Sequence, residues 1–191
     1  MPEPAAPPTE SSATERPNLA TAVGRAAQMI HPDDGSLPNG DRAALRRVNP
    51  EAPVTPALWK ALHGLNIPEP DPQYGTSDAA TARYERNWGL LLMGMAHCAG
   101  LHDYEVPLGK ALALAGWSEL RFTRIMEADA ETLPALMRRM AQYLASKDQA
   151  ANWADVAYLL FTRGTDNAES TRLRIARNYY STLYQKEQDA D

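Results

Sequence analysis

Apolar residues recur along this chain at intervals of three and four, the spacing of one helix face, and no run alternates apolar and polar residues between hairpin turns. The pattern predicts an all-α protein. A first helix runs from Asn18, its cap, to about Ile30, and HPDDGSLPNG breaks the chain after it. A short second helix spans Asp41 to about Val48 and stops at Asn49-Pro50, because a residue before proline avoids the helical region. Thr55 caps a third, Pro56 sits where a missing N–H costs nothing, and Gly64 offers its exit. NIPEPDPQYGTS then reads as an exposed linker. Ser77 caps a long fourth helix through about Ala99, with Trp88, Leu91, Leu92 and Met95 at core spacing and Gly100 ending it.

Pro107 begins a fifth helix ending near Gly116, and Ser118 caps a sixth that turns Phe122, Ile125 and Met126 inward. The seventh covers about Thr132 to Ser146, with Leu133, Leu136, Met137, Met140 and Leu144 as its buried stripe. The eighth starts near Asn152, buries Val156, Leu159 and Leu160, and stops at Gly164. The ninth, about Ala168 to Lys186, places Leu173, Ala176, Tyr180 and Leu183 on one stripe. Helices this numerous on short loops predict two packed bundles, residues 18–106 and 107–187. Residues 1–17 hold almost no large apolar side chain and are expected to form a disordered tail.

Composition narrows the function classes. The longest apolar stretch, Gly89 to Leu101, falls well short of the roughly 20 residues that cross a bilayer. No basic segment followed by an apolar run opens the sequence, so no membrane partner is expected and a cytoplasmic location is. Cys98 is the single cysteine, which leaves no internal disulfide and no multi-thiolate zinc site, and its helical setting reads as core. His31, His63, His97 and His102 form no H-E-x-x-H pattern; His97, His102 and Asp103 could meet a metal only if the helix ended between them. Asp33 and Asp34 lie in a Pro/Gly-flanked turn where aspartates are common. With no phosphate-binding loop and no nucleophile elbow, no enzymatic chemistry, cofactor or metal is expected.

The formal net charge of −5 argues against a nucleic-acid partner until its distribution is followed. Acidic residues gather in the tail, the linker and the C-terminal end, while cations cluster on helices. Lys60, Lys110, Lys147 and Lys186 are the only lysines; the other cations are arginines, whose planar guanidinium suits phosphate and carboxylate alike. At 100° per residue, Ala44, Leu45 and Val48 share one side of the second helix while Arg42, Arg46 and Arg47 spread over the other, with Asp41 alone to balance them. Arg121 and Arg124 flank the sixth helix, Arg138 and Arg139 the seventh, and Arg174 and Arg177 the ninth. No bulky aromatics stand beside them to stack bases, which suits backbone contact better than sequence reading.

Several blocks resemble one family. NGDRAALRRV (39–48) is similar to the signature near the start of CasB proteins, the small subunit of type I-E CRISPR Cascade, in which a glycine precedes a helix ending in paired arginines. PLGKALALAGWSELRFTRIMEAD (107–129), LPALMRRM (133–140) and NWADVAYLL (152–160) resemble the family's later blocks, in the same order and spacing over about residues 18 to 180. The chain departs from the pattern in its acidic tail, in Lys110 where arginine is usual, and in its middle linker. The resemblance implies a non-catalytic, two-bundle subunit that pairs head to tail with a second copy, among the Cascade backbone and large subunits. It implies contacts to the guide RNA (crRNA) and to the target and non-target DNA strands, stabilising the R-loop while base pairing selects sequence. Arg46, Arg47, Lys110, Arg121, Arg124, Arg138 and Arg139 carry over as backbone contacts, and helix geometry adds Arg42. The alternative from charge alone is an adaptor whose arginines bind acidic protein partners.

Overall fold

The computed structural model describes residues 18–67, 73 and 75–189. The expected tail, 1–17, and most of the middle linker lie outside them. The described residues form nine α-helices and no strand: α1 (Leu19–Ile30), α2 (Asn39–Arg46), α3 (Pro56–Gly64), α4 (Asp78–His97), α5 (Leu108–Ala115), α6 (Glu119–Glu127), α7 (Leu133–Ser146), α8 (Trp153–Phe161) and α9 (Asn167–Gln188). Among them no helix is long and apolar enough to cross a membrane.

Local chemistry starts most of these helices. The Asn18 side chain accepts the Thr21 amide at 2.9 Å, Ser77 that of Ala80 at 3.2 Å and Asn152 that of Ala154 at 2.9 Å, each satisfying an N–H that the first turn leaves unpaired. Thr55 caps α3 in the same way, and that helix leaves through Asn66 in the left-handed region (φ 57°), just beyond the expected Gly64. Thr132 precedes α7 without a side-chain cap bond, and the turn before it is closed by Asp129, whose Oδ1 accepts the amides of Glu131 (3.1 Å) and Thr132 (2.7 Å) and the Thr132 hydroxyl (2.8 Å). The Thr132 hydrogen bonds hold the Asp129 carboxyl below its usual range.

α4 is the central helix. Trp88, Leu91, Leu92 and Met95 are buried, and α1, α2, α3, α7 and α8 pack around it. Gly94 lets the Trp153 indole lie on the α4 backbone: a Cβ there would stand 2.6 Å from the ring. Tyr84, Trp88 and Phe161 meet edge to face between α4 and α8. One cluster of buried side chains runs from α1 to α9.

α9 turns differently from the expected stripe. Its buried residues are Ala168, Thr171, Ile175, Tyr179 and Thr182, whereas Leu173 and Tyr180 are 49% and 44% exposed. The reason lies on α5. A Cβ at Gly109 would fall inside the Ile175 carbonyl oxygen and 2.7 Å from the Tyr179 amide nitrogen, so the two backbones touch and that contact fixes the rotation of α9. Tyr179 then stacks on Phe122 at 4.0 Å between ring centroids and donates its hydroxyl to the Trp117 carbonyl.

Pro107 cannot cap α5, and a distant carboxylate takes its place. Asp155 of α8 is almost wholly buried; its Oδ2 accepts the Leu108 amide at 2.9 Å and its Oδ1 pairs with Arg174 of α9. Three helices therefore share one buried charge.

Arg174→Ala should cost about 3 kcal/mol in urea unfolding, because it leaves that carboxylate without its cation. Adding Asp155→Asn should recover part of the loss, since the amide oxygen can still accept the Leu108 N–H. Gly109→Ala should cost about 3 kcal/mol, read in the same assay, as the α5 and α9 backbones are driven apart.

Candidate nucleic-acid interface

Burial of Leu45 and Val48 turns the end of α2 so that Arg46 and Arg47 face solvent. Burial of Leu133, Met137, Met140, Ala141 and Leu144 similarly sets the roll of α7, leaving Arg138 and Arg139 on the two sides of its outer face. Arg138 reaches α2: its Nη2 donates to the Val48 carbonyl and, at 3.4 Å, to that of Arg46. A cation thus closes the negative end of α2 and brings Arg46, Arg47 and Arg138 into one patch. Arg47 is steadied by its own Nε, which donates to the Ala43 carbonyl at 3.1 Å.

His97, the last residue of α4, lies behind this patch. Burial lowers its pKa, and the positive charges of Arg138 and Arg46 lower it further. The Arg46 carbonyl opposes these effects.

The other side of α7 carries further cations. Arg139, Tyr143 and Lys147 succeed each other at four-residue spacing on one face of α7 and its C-terminal turn. Lys147 Nζ lies 5.8 Å from the Tyr143 ring centre, and the Arg121 guanidinium of α6 sits 5.9 Å from the same ring and 5.4 Å from that of Trp117, so aromatic rings do stand beside these cations, contrary to the expectation from sequence. Tyr143 is itself anchored, donating its hydroxyl to the carbonyls of Ala115 (2.9 Å) and Gly116 (3.1 Å). Arg124 is exposed three residues beyond Arg121 on the same flank. Arg139 to Lys147 covers about 12 Å of helix, the rise of three to four nucleotides along a duplex strand.

Two expected contacts stand apart. Arg42 is bound into the α1–α2 junction, its Nη1 donating to the carbonyls of Ile30 (3.3 Å) and His31 (2.9 Å) and its Nη2 to Asn39 Oδ1 (2.6 Å). Lys110 is exposed on α5, a helix that carries none of the other expected cations. None of the eight expected residues forms an ion pair with a carboxylate of the described residues. Asp41, the acid on the helix of Arg42 and Arg46, is drawn away to Lys60 at 2.9 Å. Lys147 was not among the expected set; its only sequence signal is its spacing from Tyr143.

Arg174, expected on an outward face, is half exposed there and also pairs with buried Asp155. His102 accepts the Trp153 amide at its Nδ1 (3.2 Å) while His97 faces α2, so the two rings serve different elements. Among the described residues no group of three His, Cys, Asp or Glu side chains is placed to hold a metal ion. The buried Cys98 thiol donates to the Ala141 carbonyl at 3.2 Å, and burial pushes its pKa up to about 12, so it does not offer a thiolate nucleophile.

The sequence profile of the family described as CRISPR-associated protein Cse2 matches residues 41–180. A chain of the crystal structure of Escherichia coli Cascade bound to a PAM-containing dsDNA target shares the fold at a TM-score of 0.61 and 20% identity, over 86% of this chain and 96% of that one. CasB from Thermobifida fusca superposes at 0.64 with 16% identity (85% and 97% covered). CasB from Thermus thermophilus does so at 0.63 with 19% identity (87% and 99% covered). Comparison with the curated proteins finds no match.

A histidine whose folded pKa is lowered binds fewer protons in the native state than in the unfolded one, so stability falls as pH drops below the unfolded value of 6.5 towards the folded value. His97→Gln should therefore flatten the dependence of urea stability on pH over that window, leaving a residual slope from His102, which burial lowers in the same direction.

Proposed function

Because the chain belongs to the CRISPR-associated Cse2 family, the non-catalytic small subunits of type I-E Cascade, we propose that its α2, α6 and α7 cations hold phosphodiester backbones inside that complex. The observation that carries this reading is charge left open: the side chains of Arg46, Arg124 and Arg139 are exposed and form no hydrogen bond or ion pair among the described residues. Guanidinium groups free of carboxylates and supported on rigid helices are pre-organised to release phosphate counterions rather than to add stability. In this reading the N-terminal unit, residues 18–106, supplies Arg46 and Arg47, and the C-terminal unit, residues 107–187, supplies Lys110, Arg121, Arg124, Arg138 and Arg139. Arg42 and Arg138 act mainly by fixing α2, through the carbonyls they bind.

The polyanions are the guide RNA (crRNA) and the target and non-target strands of the opened DNA, whose sequence is chosen by base pairing and not by this subunit. The subunit works in the cytoplasm, beside a second copy of itself arranged head to tail and against the backbone and large subunits. It stabilises the R-loop during antiviral defence.

Cascade assembled with Arg46→Gln, Arg47→Gln and Arg139→Gln should retain target DNA on the order of tenfold less well at physiological salt, and its log affinity against log salt should flatten by about one for each phosphate left without its cation. Helicity and assembly should be unchanged, because the three side chains are exposed. Undiminished DNA retention, or association with the complex that survives nuclease and disappears in the variant, would instead assign the arginines to acidic protein partners.

A further inference from the structure

A cationic groove lies along the N-terminal half of α4, where the end of α8 and the first turn of α7 meet it, at the end of α4 away from the α2 cations. It has a volume of about 410 Å³, a floor that includes Leu90, Leu133 and Leu160, and a rim carrying Arg83, Arg86 and Arg163. Asn87 ties α4 to the end of α8, its Nδ2 donating to the Leu160 carbonyl at 3.1 Å, and Arg83, one helical turn before it, and its neighbour Arg86 both line the groove. Arg163, just past α8, is held by donation from Nη2 to the Ala128 carbonyl at the end of α6.

The charge at Arg163 is poorly compensated. Burial disfavours this cation, and the neighbouring Arg172 disfavours it further. Asp129 offers the opposing charge, but its Oδ1 is already engaged by three donors of its own turn. A bound anion would relieve that repulsion. Guanidinium groups ringing an apolar floor match one ligand chemistry well: phosphates on the rim, with the sugar or base edge resting on aliphatic carbon. No aromatic side chain of the described residues lines the groove, so bases are not selected by stacking.

Resting on the reading of the chain as a backbone-holding subunit, we propose that this groove is a second phosphodiester site, which takes single-stranded nucleic acid through Arg86 and Arg163. Arg86 and His97, which faces the Arg46–Arg138 patch, stand on one face of α4 about 16 Å apart, roughly two Debye lengths at physiological salt, so a charge change at Arg86 acts separately from that patch.

The test is anisotropy of a fluorescein-labelled oligothymidylate titrated with the full-length chain at low salt, comparing the unaltered protein with Arg86→Gln, with Arg46→Gln/Arg139→Gln, and with all three changes. Arg86 is exposed and should be replaceable without a change in Tm. Arg86→Gln should weaken binding about threefold to tenfold and flatten the salt slope by about one, and its effect should add logarithmically to that of the other pair. Unchanged affinity in Arg86→Gln, with weakened affinity in Arg46→Gln/Arg139→Gln, overturns the groove and leaves the α7 reading standing. The reverse pattern supports the groove and removes that reading, and no binding by the unaltered chain overturns both. Loss of polyglutamate binding in Arg86→Gln with oligothymidylate binding intact would give the groove to an acidic protein and overturn the proposal.

Discussion

The guanidinium of Arg138 sits where α7 meets the end of α2, on carbonyls that the helix cannot satisfy by itself. The candidate interface depends on this contact. Without it, the N-terminal half of α2 would still be held by Arg42 and by the Asp41–Lys60 pair, but its C-terminal end, which carries Arg46 and Arg47, would keep only the packing of Leu45 and Val48. With it, the positive end of one side chain neutralises the negative end of a helix, and two further arginines are fixed beside a third. The cost falls on His97, which is kept from protonating by its burial and by the charges it faces.

The acidic total charge and the basic surface are reconciled by where the carboxylates are placed. Asp41 goes to Lys60, Asp129 to the first turn of α7, and Asp155 to the α5 N-terminus and Arg174. None of these three neutralises Arg46, Arg124 or Arg139. Net charge is a sum over the molecule, whereas a polyanion meets the potential of one face, and at physiological salt that potential is local to within about 8 Å.

Two modes of cation use recur in the structure. Arg42, Arg138 and Arg163 each donate to carbonyls at or near the ends of α1, α2 and α6, joining elements distant in sequence. Arg46, Arg124 and Arg139 make no such bond and stay open to solvent. The first group builds the platform and the second is displayed on it, so neighbours in sequence such as Arg46 and Arg42, or Arg138 and Arg139, do different work.

The helices and their order were legible from local patterns alone. Side chains at Asn18, Thr55, Ser77 and Asn152 cap amides two or three residues away, and the stripes of α4, α6 and α7 arise from the helical period, so neither needs a distant partner. The paired arginines and the absence of a metal-binding pattern were equally open to reading, because residue type and spacing carry them. Tertiary structure decided the rest. α9 has apolar residues on two of its sides, and only the backbone contact at Gly109 selects which is buried. Arg42 and Arg174 looked outward by periodicity, yet an arginine side chain is long enough to turn back to a carbonyl or carboxylate brought near by another helix. A charge's neighbours are set by the packing of elements far apart in the chain, and spacing along one helix does not encode them.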